Sequence, residues 1–262
     1  MIEPKRESDT QGGTMTTRTQ GMKALVFVGC LAIATGTAIA APAPAGQFQS
    51  VLADPVRPAE DVARDADRKP AEVLSFAGVH AGMSIAELAP GGGYFTRILT
   101  GAVGPKGHVY AITAHPSPAL QALAQQRSNL TIVAGAPGTI PVDGKVDMVW
   151  TTQNYHDFKN SKLPTGDAAQ AYNVEAFRVL KSDGTYLIED HETAAGAGAT
   201  QTSTLHRIED TVVKQEVAAA GFKLEGESSI LRNPADDHTK LVFDPSIRHH
   251  TDQFLYKFRK PK

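Results

Sequence analysis

Cysteine is nearly absent from this 262-residue chain: Cys30 is the only one, Trp150 is the only tryptophan, and aromatic residues make up 6%. The lone thiol sits in a stretch that reads as a leader. Lys23 precedes an apolar run from Ala24 to Ile33, which continues through small residues to Ala38-Ile39-Ala40. A positive start, a short apolar core and an Ala-x-Ala end describe a secretory signal peptide over residues 1–40, cleaved before Ala41. Phe27-Val28-Gly29-Cys30 offers a competing lipoprotein reading, with a very short apolar stretch ahead of the cysteine. Cleavage after Ala40 leaves a thiol-free chain exported to the periplasm, without disulfides, cysteine nucleophiles or thiolate metal sites. The leader run is too short and too rich in small residues for a good membrane span, so no stable membrane insertion is expected after its removal. An excess of charge is lacking too. Lys and Arg number 26 against 28 Asp and Glu, a formal charge of −2 that becomes −3 without the leader. Neither nucleic acid nor an anionic membrane is therefore an expected partner; a small molecule is. No internal repeat is visible, and no H-x-x-x-H spacing names a set of metal ligands.

What is present is an alternation. Residues 41–54 read as a Pro/Ala-rich linker, and residues 55–262 as one domain. From Pro58 to Val79 the spacing predicts helix, with Val62, Ala63 and Ala66, then Val73, Leu74 and Phe76, on one face and a break at Pro70. The charges of "EDVARDADRK" read as a solvated face. Strands are then expected at 83–90, 108–114, 130–135, 146–152 and 185–190. Helices are expected at 94–103, 117–126, 168–181 and 205–221, with two more strands at "FKLEGES" and "DQFLYKF". Strands separated by helices of that length argue a parallel sheet covered on both faces. The last two strands lack a crossover helix between them and should pair antiparallel.

The first of these strands runs into "ELAPGGGYFTRIL", three consecutive glycines ahead of a helix. Glycine lets a ligand approach the backbone, and N–H groups at the helix start face the crevice at the strand ends. A tight strand-to-helix turn with no ligand also favours glycine. The surroundings are more specific. "ELAPGGG", "AGAPGTIPVDGKVDMVW" and "FRVLKSDGTYLI" resemble successive segments of the class I S-adenosylmethionine-dependent methyltransferases, and more closely a group of predicted methyltransferases carrying secretion signals. The resemblance spans residues 55–262. It implies a Rossmann-like three-layer α/β sandwich with a seven-stranded, mostly parallel sheet whose last strand is antiparallel. It also implies S-adenosylmethionine as cofactor and methyl transfer to a small molecule. On that likeness Glu87, Ala89, Gly91 and Gly93 hold the methionine part, while Thr113 and Ala136 border the nucleoside. Ala89 stands at the family's first glycine. The usual acids for the ribose and the adenine are replaced by the Thr113-Ala114-His115 stretch and Ala136. A charge-assisted hydrogen bond contributes roughly 1.5–3 kcal/mol, so two missing carboxylates are expected to weaken cofactor affinity by several tenfold steps.

Loops after the fourth and fifth strands fall beside the glycine loop in this architecture. They read "TQNYHDFKN" and "IEDHETAAGAG", which brings Tyr155, His156 and Asp157 near Asp190 and His191. His156 or His191 suits a proton-abstracting base, and either aspartate can fix a histidine tautomer. Tyr155 also reads as a wall residue and His156-Asp157 as a turn. Two other functions stay open: a non-catalytic small-ligand-binding protein, and a metal-assisted hydrolase using the two His-Asp pairs with His206.

Overall fold

The expected alternation runs through the computed structural model, which describes residues 45–262; the leader reading of residues 1–40 lies outside the described residues. The described residues fall in one unit, Ala41–Lys262. Parallel strands β1 (Ser84–Leu88), β2 (His108–Ile112), β3 (Leu130–Val133) and β4 (Val146–Thr152) come first in the chain. A small hairpin, β5 (Lys162–Leu163) with β6 (Gly166–Asp167), interrupts them ahead of β7 (Leu180–His191). β8 (Lys223–Ser228) and β9 (Gln253–Arg259) complete a seven-stranded sheet in the order β3-β2-β1-β4-β7-β9-β8. Only β9 runs antiparallel to its neighbours, inserted between β7 and β8. The fold class implied by the sequence is the one observed.

Helices cover both faces. On one lie α1 (Gln49–Leu52), α2 (Ala59–Val62), α3 (Asp65–Arg68), α4 (Pro70–Ala77), α5 (Tyr94–Val103) and α6 (Pro118–Gln126). Their core gathers Leu74, Phe95, Leu99 and Leu120 with Trp150, Leu187 and Leu255 from the sheet. The other face carries α7 (Tyr155–Asn160), α8 (Ala168–Val179) and α9 (Asp210–Ala219), packed through Tyr155, Ala176, Val213 and Val217 on Val149, Tyr186, Ile188 and Phe254. Along β7, side chains therefore alternate between two cores, as a strand's two-residue period demands.

Three boundaries differ from expectation. Residues within the supposed linker fold: Ala45–Phe48 is a 3-10 turn, and Phe48 is buried among Leu74, Phe95 and Leu99, so the packed unit starts ahead of residue 55. β7 begins five residues early, because Leu180 pairs with Val146 before the bulge at Lys181–Asp183 lets the register resume at Thr185. The helix expected at 205–221 is only Asp210–Ala219. Ahead of it His206 takes a left-handed φ of 54°, which a helix interior does not hold, and Arg207 is fully buried.

Candidate active site

The glycine loop turns the chain from β1 into α5, and its carbonyl groups are tied from outside. Asn154 Nδ2 donates to Ala89 O at 3.2 Å, Ser117 Oγ to Gly91 O at 3.1 Å, and Arg97 Nη1 to Gly92 O at 2.8 Å. Among the described residues, no hydrogen bond takes up the N–H of Gly91 or Gly92. Those donors face a cavity of about 210 Å³ lined by Glu87, Ala89, Gly91, Arg64, Arg68 and Gln153, among others. The glycines divide the work. A Cβ at Gly91, where φ is 57°, would meet nothing within 4 Å beside the cavity. At Gly93, where φ is 86°, it would press on Arg97 Nη1 at 3.2 Å, so this glycine shapes the turn and does not line the cavity.

Behind the loop, Glu87 ends β1 with 3% of its surface exposed and accepts a hydrogen bond from Thr96 Oγ1 at 2.6 Å. Burial pushes its carboxyl up to about 7, against the lowering effects of Thr96, Arg68 and Arg97. Glu189, on β7, is also pushed up to about 7 by burial. Arg68 approaches Glu189 to 4.0 Å, and apart from the Gln153 side chain no partner among the described residues reaches its buried carboxylate oxygens. The Arg68 guanidinium lies over the rings of Tyr94 and Phe95, at 4.3 Å and 4.7 Å from their centres. The Nε atoms of Arg64 and Arg68 are likewise buried without a partner.

These two arginines were read as a solvated face, and the structure inverts that reading. Val62, Ala63 and Ala66 point outward, with Val62 47% exposed, while Asp61, Arg64 and Arg68 turn inward. Asp61 holds Arg97 at 3.0 Å, and Asp65 takes Arg57 and the Tyr94 hydroxyl. Charged groups can face inward here because each meets an opposite charge, an aromatic ring or the cavity. The signal was available in the i, i+3, i+7 spacing of Asp61, Arg64 and Arg68.

A second cavity of about 570 Å³ adjoins the first and shares Asp61, Arg64, Arg68 and Gln153 with it. Its other walls include His191, Val242, Phe243, Arg248 and His249. His249 is exposed but borders this space; Val242 and Phe243 come from the irregular segment between β8 and β9.

Of the residues that sequence adjacency grouped together, His156 and His191 do meet, with ring centres 5.9 Å apart, but they differ in their access to the cavities. His191 lines the large cavity and shares a hydrogen bond with Thr251 Oγ1 at 2.8 Å; burial pulls its imidazole down to about 3. Asp190 points the other way, fully buried. Its oxygens accept from the N–H groups of His156 and His191 and pair with His156 Nδ1, all at 2.7–2.8 Å. Burial raises the Asp190 carboxyl, but the His156 ring and these donors hold it below its usual value. Burial likewise lowers His156, and Asp190 more than reverses it, so this histidine titrates above its usual range. His156 is 2% exposed and lines neither cavity. Tyr155 is fully buried on the α8–α9 side, where its hydroxyl donates to Glu216 and accepts from Asn173, both at 2.8 Å. It belongs to the core, as the wall reading allowed, and not to the reacting surface. Asp157 is half exposed beside His206. Thr113 and Ala136, assigned to the nucleoside, line neither cavity: Thr113 Oγ1 caps His115 N–H, and Ala136 O accepts from Thr139.

A family model described as a methyltransferase domain matches residues 86–188. That match spans less than half of the chain. The match takes in β1, the glycine loop and the strands through most of β7. No curated protein sequence matches the chain. Solved structures share its fold. A SAM-dependent methyltransferase from Aquifex aeolicus aligns with a TM-score of 0.56 at 18% identity, covering 82% of this chain and 98% of that one. A Burkholderia thailandensis 1,6-didemethyltoxoflavin-N1-methyltransferase, solved with S-adenosylhomocysteine, aligns at 0.54 and 18%, covering 83% and 87%. The [4+2]-cyclase SpnF aligns at 0.54 and 16%, covering 75% and 81%. At these identities the likeness shows a shared fold, and a fold alone does not fix the chemistry.

Proposed function

We propose that the chain transfers a methyl group from S-adenosylmethionine to a small anionic acceptor. One observation carries the proposal: two guanidinium groups with unpaired Nε atoms overlook the glycine loop and separate two adjoining cavities. A planar guanidinium matches a carboxylate in geometry and charge, so Arg64 and Arg68 suit the methionyl carboxylate on one side and an acidic acceptor on the other. The free N–H groups of Gly91 and Gly92, with Glu87 behind them, complete a polar cradle for the methionyl end. The residues present fit that half of the cofactor; the nucleoside half has no carboxylate at Thr113 or Ala136 to receive it.

Bound S-adenosylmethionine supplies an electrophilic methyl group on a cationic sulfur. The chain's own task is then to hold the acceptor's nucleophile in line and keep water out. His191 is the imidazole on the acceptor cavity, and at about 3 its pKa makes it neutral but a poor proton acceptor at neutral pH. His156, the stronger base, has its ring centre 5.9 Å from that of His191 but lines neither cavity. This arrangement favours an acceptor whose nucleophile carries no proton at neutral pH, such as a carboxylate, a thiolate or an unprotonated ring nitrogen. Export of the chain to the periplasm, directed by residues 1–40, belongs to the same proposal, and fractionation of cells expressing the tagged chain tests it.

Calorimetry with S-adenosylmethionine and S-adenosylhomocysteine is the deciding experiment. Micromolar binding, weakened at least tenfold in Gly91→Val and in Arg68→Met, is the expected result. No heat at millimolar ligand would remove the methyl-transfer reading. That outcome would favour the second reading, a binding protein for a ligand without a nucleoside, which the placement of Thr113 and Ala136 outside both cavities supports.

A further inference from the structure

Three donor atoms meet from the first turn of α7 and from the segment ahead of α9. His156 Nε2 lies 3.2 Å from His206 Nδ1 and 3.4 Å from Asp157 Oδ1, and the last two are 3.1 Å apart. We propose that this triad is a binding site for a divalent transition metal of the zinc class, with a fourth position open to solvent.

The separations match the proposal. A tetrahedral ion with ligand bonds of about 2.0–2.1 Å places its donors about 3.3 Å from one another. All three pairs fall within 0.2 Å of that edge, and the three atoms form a group that could hold a metal ion. Protonation favours it as well. The ionised Asp190 carboxylate accepts two backbone N–H groups and faces His156 Nδ1 at 2.7 Å, so Nδ1 carries the ring proton and donates it. His156 Nε2 is then the ring atom aimed at the triad, where an ion takes the place of any proton it carries. A carboxylate that orients a histidine through its far nitrogen is the support that metal-ligating imidazoles ordinarily have.

Access is open. The Asp157 side chain is 47% exposed and that of His206 is 28% exposed. The left-handed backbone at His206 turns its ring onto His156, with ring centres 5.2 Å apart. The Phe243 ring packs on His206 at 5.0 Å and also borders the acceptor cavity, so the site lies just behind that wall. Two imidazoles and one carboxylate suit Zn²⁺ and exclude Mg²⁺ and Ca²⁺, which prefer oxygen. The proposal does not depend on methyl transfer, since none of the three ligands lines either cavity.

Calorimetric titration of the EDTA-treated full chain with zinc chloride tests it. The expected result is one ion per chain at micromolar affinity or tighter, weakened at least tenfold by Asp157→Asn and by His206→Asn and unchanged by His250→Gln. Asparagine tolerates the left-handed backbone of His206, and both ligand positions are partly exposed. The metal-free variants should therefore melt with the wild type, while zinc raises the melting temperature of the wild type alone. Cobalt in place of zinc should give the visible absorption of tetrahedral N/O coordination, lost in His206→Asn. No binding at millimolar zinc, or equal affinity in the Asp157→Asn/His206→Asn double variant, would overturn the site and leave a hydrogen-bonded cluster.

Discussion

Ala89 occupies a left-handed conformation, φ 50°, one residue past β1. A Cβ there costs roughly 1–2 kcal/mol, partly offset because glycine would loosen the unfolded chain by about 0.4–1 kcal/mol. Ala89→Gly should therefore raise stability by up to about 1 kcal/mol, read as a higher urea midpoint with an unchanged slope. The sequence presents Ala89 as a small residue where relatives have glycine, and size was the wrong property to weigh. Its backbone angle matters more, and no composition or periodicity reports an angle. Gly91 and Gly93 were equally visible, but their separate duties needed the positions of Arg97 and the cavity.

Segments that carry charge were the least legible. The pattern of α2 and α3 is amphipathic in both directions, and apolar Val62 and Ala66 were natural candidates for the inner face. Tyr94 and Phe95, brought over by α5, supply the rings that let Arg68 take that place. The segment between β8 and β9 shows a comparable dependence on partners far along the chain. Arg207, fully buried, meets Asp236 at 2.9 Å and donates to the carbonyls of Glu192 and Lys240. Removing one member of a buried pair strands the other charge, at a cost of about 3–5 kcal/mol. Arg207→Ala should lose that much in chemical denaturation and free the segment that brings Val242 and Phe243 to the large cavity, which limited proteolysis would report. By contrast, the strands and long helices of the sheet were legible because their apolar runs are buried on both faces and need no such partner.

Two buried carboxyl groups give the protein a pH dependence with an unusual sign. Glu87 and Glu189 titrate near 7 when folded and near 4.5 when unfolded. Between those values the folded chain binds more protons than the unfolded one, so stability falls as pH rises and levels off above about 7. A shift of that size corresponds to roughly 3 kcal/mol at most for each group. Denaturation midpoints should accordingly be higher near pH 5 than near pH 8 from this contribution. Glu189→Gln should flatten the difference and stabilise the chain at the higher pH; a steeper dependence in that variant would refute the assignment. β7 has a further consequence. Its residues Glu189 and His191 serve the cavity side while Asp190 serves the opposite one, and a strand's faces exchange with every single-residue slip. An insertion between Ile188 and Glu189 should therefore not damage one site and spare the other. It would exchange the faces of the last three residues of β7 together, sending the histidine-orienting carboxylate into the ligand crevice and leaving the arginines to face a charge meant for the other side.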